Sequence, residues 1–505
     1  MSEKRQFISS FSWNTSTVVL QIVIQMIYTA IIARMIPQES FALMGVVLSI
    51  MGFAEIFSQV GIGPALIQRK ELQPQHLTGA FYTSLILGVL FTLAFVISAP
   101  LFAKAYQLPE LEPIMQMVCT SFTISALAVV PRSLMMKEMK FKNFFIAGMI
   151  SIVGGNLIVG LLLAYAGFEV WAYVWALFAQ NLLMTLSYWI LQPTRFPLKW
   201  KWKQTRELIG YGGASTLFNS LNYAATKVDV MLLPKYVDTL PAVDGRSKLD
   251  SAGVYERSAY VMSLPITIMA KLSDNVLFSG MSKMQDELER LRRLILIGTQ
   301  MIGIIIIPTS IFISIFAEEL VTIYLGPSYA DAGVVLQVLF IAIVFRTLTR
   351  LSDALLRAKN AVMKGSYYKA FYLLLMILGV YWAIPYGLTA IAWSIVATTF
   401  IHYLMSIHLC HVLISSSYWI QMKALLPGLL LGGITMISAL PFVFFSSFSS
   451  LGPLFKILAA ALVWGTSLLI TIYIAPGILK VNGISPLELL PQRLKQLPIV
   501  RRLFK

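Results

Sequence analysis

Apolar runs of about twenty residues recur along the chain from Trp13 towards its C-terminus, and each is long enough to cross about 30 Å of hydrocarbon as an α-helix. Only 12% of the 505 residues are charged, whereas soluble domains carry about 25%. The sequence therefore predicts an all-α polytopic membrane protein and excludes a soluble multidomain enzyme.

The apolar runs predict fourteen transmembrane helices. An even number of spans places both termini on one side of the membrane. Most of the 39 lysines and arginines, Lys369 among them, fall in the connections on that side or in the C-terminal tail. Since cytoplasmic loops carry the excess of Lys and Arg, we expect both termini in the cytoplasm. The net charge of +16 is then explained by topology and not by a nucleic-acid partner. The predicted spans are 13–33, 42–66, 80–103, 113–136, 144–166, 171–191, 208–235, 253–281, 294–316, 332–356, 367–385, 387–410, 424–446 and 453–475.

The helices group into two copies of a six-helix unit. The passage IIARMIP (31–37), followed by FALMGVVLSI, aligns with MLLPKYV (231–237), followed after an insert by AGVYERSAYV. Because each copy has an even number of helices, the copies keep one orientation, as parallel repeats do. The predicted organisation is an N-terminal lobe (1–195), a C-terminal lobe (196–412), a terminal helix pair (413–478) and a basic cytoplasmic tail (479–505).

Polar residues follow one face of several predicted helices. A charge at the centre of a membrane helix costs about 2.5–3.5 kcal/mol, so polar stripes seldom face lipid. Stripes on helices one, two, seven and eight predict a water-filled cavity between the lobes, although interhelical hydrogen bonds would give the same spacing. The uncharged candidates for lining the cavity are Gln21, Gln25, Asn219, Asn222 and Thr226.

Cations also lie within the predicted spans. Lys271 and Asp274, like Arg350 and Asp353, stand three residues apart and could form neutralising pairs on their helices. Arg346 has no acidic residue three or four positions away. Its partner must therefore come from another helix or from a ligand.

Acidic residues in the spans are candidates for ion coupling or for a gate. Glu55 has no cation one helical turn away, so it could bind a proton or sodium, or be a hydrogen-bonded neutral acid. Asp229 could pair with Lys227 or with Arg257, and Asp274 is the fourth residue of this set. No phosphate-binding loop is present, and the four histidines do not form a metal-ligand pattern. We therefore expect no cofactor and no metal, with energy from a proton or sodium gradient or from the substrate's own gradient.

Several segments resemble Wzx-type polysaccharide flippases of the multidrug/oligosaccharidyl-lipid/polysaccharide exporter superfamily. The resemblance is strongest to the colanic acid and teichuronic acid exporter subgroup, and it implies fourteen helices in a V-shaped pair of lobes. It also implies alternating access, in which undecaprenyl-pyrophosphate-linked oligosaccharide crosses a bacterial inner membrane for capsule, exopolysaccharide or O-antigen export, next to polysaccharide polymerase machinery. The segments are IIARMIP (31–37), VGIGPALIQRKEL (60–72), DVMLLPKYV (229–237), GVYERSAYVMSLPITI (253–268), FAEELVTIYLGPSYADAGVVLQVL (316–339) and PYGLTAIAWSIV (385–396).

Under this resemblance Arg346, Arg350 and Lys271 are expected to bind the pyrophosphate, because guanidinium groups bind phosphate through two parallel hydrogen bonds. The amide and hydroxyl stripes are expected to contact the glycan. An ion-coupled drug exporter of the same superfamily is an alternative, with a cavity expected to be more aromatic and acidic. A membrane glycan polymerase, ligase or acyltransferase is a further alternative, but it would be expected to carry a large outer loop or a His/Asp set in the membrane. We therefore expect a transporter and not an enzyme.

Overall fold

The computed structural model describes residues 20–58, 62–63, 66, 72–138, 140–194, 213–241, 247–444 and 452–479. All regular structure in these ranges is helical. The chain forms two compact units, Met1–Glu256 and Arg257–Lys505. The division falls inside one long helix, and the lobe boundaries expected from the sequence stay a prediction.

The described residues of the first unit form seven long helices and the beginning of an eighth. Helix α3 packs against α4, α6 packs against both α4 and α5, and α7 packs against α2. The beginning of α8 approaches α2 closely, because a Cβ on Gly253 would lie 1.9 Å from the carbonyl oxygen of Gln38. The helices are α1 (Leu20–Ile32), α2 (Gln38–Ser58), α3 (Pro74–Tyr106), α4 (Leu111–Lys137), α5 (Phe141–Tyr165), α6 (Val170–Leu191), α7 (Gly213–Lys235) and α8 (Lys248–Lys283).

A stretch of π-helix, Val153–Gly160, interrupts α5. Its residues Gly154 and Gly155 face α6, and a Cβ on Gly155 would lie 2.6 Å from the backbone of Gln180. Glycine is therefore required where α5 and α6 approach one another. Single π-helical turns inside α-helices often mark functional positions.

The described residues of the second unit form the rest of α8, six further long helices and several short ones. Helix α10 packs against α9 and α12, α11 packs against α12, and α9 packs against α13. Helix α14 packs against α13, and its Trp464 ring stacks on Phe312 of α9 with centroids 4.6 Å apart. A short helix, Ala317–Tyr324, follows α9. The helices are α9 (Leu288–Ile315), α10 (Ala332–Ala358), α11 (Val362–Ala383), α12 (Leu388–Ile414), α13 (Tyr418–Phe444) and α14 (Pro453–Ile474).

Eleven of the described helices are long and apolar enough to cross a membrane. Each predicted run coincides with a helix, but α1 is short in its described part, and neither α7 nor α8 is among the eleven. Large apolar side chains such as Ile97 and Leu462 are 75% and 71% exposed, as expected of surfaces that face lipid. The all-helical, multi-pass membrane architecture is confirmed, whereas the count of fourteen spans stays a prediction.

Candidate functional site

Four charged residues occupy one face of α10. Arg346, Arg350, Asp353 and Arg357 advance by four, three and four positions, which aligns them along a helix with about 3.6 residues per turn. The surrounding residues of α10 are mostly buried and apolar, including Leu348, Leu351, Ala354 and Leu355. This charged stripe therefore belongs to a helix whose other faces pack inside the second unit.

Arg346 lies near the middle of α10. Its side chain is half-buried, and its Nε and Nη2 atoms are buried without a hydrogen-bond partner. Leaving a buried donor unsatisfied costs about 1–3 kcal/mol, and more for a charged group. A ligand that supplies acceptor oxygens would remove this cost.

The acidic residue on the same face does not pair with Arg350. Asp353 Oδ2 instead accepts a hydrogen bond from Lys369 Nζ on α11, over 3.1 Å. No hydrogen bond or ion pair joins Arg350 to another residue in the described part of the chain. The neutralising Arg350–Asp353 pair, which the spacing allowed, is therefore wrong for this structure.

Lys369 was expected among the cations of a cytoplasmic connection, but this expectation is wrong because Lys369 lies within helix α11 and is buried. The predicted span 367–385 already contained Lys369, and helix α11 begins earlier still, at Val362. Lys369 shares a helical face with Tyr372, Met376 and Val380, and all four side chains are buried. A count of basic residues by connection does not detect a lysine that points into the bundle. The helical spacing of Lys369 with Tyr372, Met376 and Val380 would have predicted that it is buried.

The ring of His402 lies beside Tyr372, on the helix face that carries Lys369. His402, on α12, stacks on Tyr372 with centroids 4.1 Å apart and planes 9° from parallel. Lys369 and Arg346 are both close enough for their positive charges to act on the imidazole, and the charges of Arg350 and Arg357 act on Lys369. We call Arg346, Arg350, Lys369, Asp353 and His402 the cationic cluster.

The third predicted pyrophosphate ligand, Lys271, lies on α8 with Asp274, and both side chains are outside the described residues. Arg257, earlier on α8, is 2% exposed and lies 4.8 Å from the centre of the Tyr260 ring. The roles predicted for these three residues stay predictions.

The amide residues of α1 contact α5. Gln25 Oε1 accepts a hydrogen bond of 2.8 Å from Asn156 Nδ2. Gln21 Nε2 lies against Gly148, where a Cβ would come within 2.1 Å of it. These contacts are those expected of interhelical packing, and a glycan-binding role for the two glutamines stays a prediction.

The polar residues of α7 differ in exposure. Asn219 is exposed and Asn222 is half-buried. Thr226 Oγ1 donates to the carbonyl oxygen of Tyr223, one turn earlier on the same helix. Asn219 and Asn222 are thus the better placed of the three to meet a solute, and their glycan contacts stay a prediction.

Two acidic residues of the first unit have contrasting surroundings. Asp229 is 1% exposed. Its Oδ2 accepts a 2.8 Å hydrogen bond from the Tyr255 hydroxyl, whereas its Oδ1 is buried without a hydrogen-bond partner. The Glu55 side chain is exposed, and its charge acts on Tyr223 of α7. Coupling or gating by either carboxyl stays a prediction.

Comparison with known proteins places the chain in a family. The model of a family described as polysaccharide biosynthesis protein matches residues 31–334. The chain belongs to this family. It is 24% identical to the lipopolysaccharide biosynthesis protein WzxC of Escherichia coli, over 72% of each chain. It is 22% identical to the teichuronic acid biosynthesis protein TuaB of Bacillus subtilis, over 79% of this chain and 81% of TuaB. The resemblance stated from the sequence motifs is confirmed.

Solved structures share the fold at low identity. The lipid II flippase MurJ, in an inward closed conformation, superposes with a TM-score of 0.73 at 12% identity, over 92% of this chain and 99% of MurJ. An inward-facing multidrug resistance transporter of the MATE family, in the MOP superfamily, superposes with a TM-score of 0.62 at 14% identity, over 81% of this chain and 99% of the transporter. This polysaccharide biosynthesis protein therefore has the MOP transporter fold.

Proposed function

We propose that this protein is a flippase that moves lipid-linked oligosaccharide across the bacterial cytoplasmic membrane by alternating access. The proposed cargo is an undecaprenyl-pyrophosphate-linked repeat unit destined for capsule, exopolysaccharide or O-antigen. The family match, the names of WzxC and TuaB, and the fold shared with the lipid II flippase MurJ support this proposal. The protein acts as a transporter, not as an enzyme.

The observation that carries the proposal is the unsatisfied guanidinium of Arg346. A pyrophosphate concentrates negative charge that must pass a layer of low dielectric constant, where fixed cations interact strongly with it. Arg346 offers two buried donors without partners, and Arg350 lies one turn further along the same face of α10. Two guanidinium groups one turn apart suit the oxygens of a pyrophosphate.

The cationic cluster disfavours the drug exporter as a second candidate. Exporters of cationic drugs need acidic or aromatic cavities, because like charges repel one another in a low dielectric. The acidic residue of the cluster, Asp353, already binds Lys369. The cluster therefore favours an anionic cargo.

The test is polymer export per molecule of membrane-inserted protein in cells that lack the native gene. We expect Arg346→Ala to lose nearly all export and Arg346→Lys to retain part of it, because lysine keeps the charge and loses the planar fork. Arg290→Ala is the matched control, since Arg290 is exposed on α9 and pairs with Glu287. Export at the native level per molecule in Arg346→Ala would refute the pyrophosphate site.

A further inference from the structure

We propose that Lys369 is a positioning residue that holds the Asp353 carboxylate away from Arg350, and so keeps the α10 arginines available to an anionic headgroup. This inference rests on the proposed function. It deepens the proposal by adding a residue from α11 to the site and by giving the acidic member of the cluster a role.

The geometry of α10 makes this role necessary. Asp353 follows Arg350 by three positions and precedes Arg357 by four. On an isolated helix a carboxylate at these spacings reaches either cation. A guanidinium neutralised in this way would offer an anion fewer free donors and a weaker field.

The structure shows the carboxylate drawn to the neighbouring helix instead. Its bond to Lys369 Nζ spans 3.1 Å, and the two side chains are only 3% and 19% exposed for Lys369 and Asp353 respectively. Removing one partner of a buried ion pair is strongly destabilising, because a charge remains without compensation. Lys369 therefore holds Asp353 more strongly than the half-exposed Arg350 would.

Loss of the Lys369 charge would have two effects on the cluster. The Asp353 carboxylate would be free to turn to Arg350, three positions earlier on its own helix, and the net charge near Arg346 would fall by one. Both effects weaken the binding of a pyrophosphate. Neither requires Lys369 to touch the ligand.

A purely structural ion pair predicts a different set of results. In that case Asp353→Asn and Lys369→Met each leave one charge unpaired, and each should lower the amount of folded protein while binding per molecule survives. The positioning role predicts asymmetry in binding. Lys369→Met should weaken binding, Asp353→Asn should not, and the double variant should recover binding because no carboxylate is left to neutralise Arg350.

The experiment measures the binding of farnesyl pyrophosphate to the purified full-length protein in detergent, per monodisperse molecule, with farnesol as the control that lacks pyrophosphate. We expect Lys369→Met to weaken the affinity by about tenfold or more, because a neutralised guanidinium and the loss of one nearby positive charge both reduce the attraction for an anion in a low dielectric. Asp353→Asn should bind at least as tightly as the unmodified protein, because it removes a negative charge, and the double variant, whose net charge is unchanged, should bind as the unmodified protein does. If Lys369→Met is not recovered folded, Lys369→Gln replaces it, because its neutral amide leaves a polar group in the buried position and removes the charge that holds Asp353.

The outcomes separate this inference from the proposed function. Arg346→Ala is measured in parallel and should lose pyrophosphate binding. If Arg346→Ala binds normally, the pyrophosphate site itself is refuted. If Arg346→Ala loses binding while Lys369→Met or Lys369→Gln binds normally, or if the double variant binds as weakly as the lysine variant, only the positioning role is refuted.

Discussion

The crossing of α9 and α13 depends on Gly428. A Cβ on this residue would lie 2.4 Å from the carbonyl carbon and oxygen of Gly303. Both contacting atoms belong to backbone inside a helix and cannot rotate away. Since the attraction that holds membrane helices together comes largely from close packing at small residues, we expect Gly428→Ala to force α13 outwards.

The magnitude follows from two opposing effects. Extra volume in a well-packed contact costs about 1–3 kcal/mol, and alanine in a helix gains about 0.5–1 kcal/mol over glycine. Gly433 is exposed on the same helix, with no neighbour within 4 Å of its Cβ position, and gives the matched control. Gly433→Ala should show the propensity gain alone, so the two variants should differ by about 1–3 kcal/mol.

The assay is thermal unfolding of each variant in the same detergent, followed by the fraction that remains monodisperse. One kcal/mol shifts the melting temperature of a unit of 150–250 residues by about 2–4 °C. Gly428→Ala should therefore melt several degrees below Gly433→Ala. An equal or higher melting temperature for Gly428→Ala would show that the close approach of α9 and α13 does not limit stability.

Two further predictions concern the attachment of α14 and the topology. Trp464 Nε1 donates a 2.9 Å hydrogen bond to Thr435 Oγ1, so Trp464→Phe should keep the stacking on Phe312 and lower the free energy of unfolding by about 0.6–1.7 kcal/mol. In a Thr435→Val background the same substitution should cost much less stability. An equal cost in both backgrounds would assign the effect to the size of the ring. Thr239 is exposed, and both native cysteines are buried. Thr239→Cys should therefore react with an impermeant thiol reagent in intact cells, whereas Thr194→Cys should not. Labelling of both variants from outside would contradict the positive-inside assignment.

Much of this architecture follows from the sequence because a bilayer permits few alternatives. A segment that crosses hydrocarbon must satisfy its own backbone hydrogen bonds, so a long apolar run becomes a helix. The stripe of Arg346, Arg350 and Asp353 was likewise predictable, since helical periodicity alone places such residues on one face. Both inferences use only distances along the chain.

Contacts between helices are harder to predict from the sequence. Gln25 and Asn156 lie far apart in the chain, and only the packing of α1 on α5 brings their amides within 2.8 Å. The π-helical stretch at Val153–Gly160 brings Gly155 against the backbone of Gln180 on α6. Neither feature leaves a periodic signal along the chain.

Asp353 shows why spacing alone fails for charges inside a bundle. The rule for residues three or four apart describes helix surfaces in water, where each cation is solvated and the nearest one is favoured. Inside the bundle the most buried cation loses most when it is unpaired, and Lys369 is buried whereas Arg346 and Arg350 are half-exposed. The carboxylate therefore binds the lysine of α11. Arg346 and Arg350, which have no carboxylate partner among the described residues, both retain exposed surface, and a charged solute needs exposed surface to reach them.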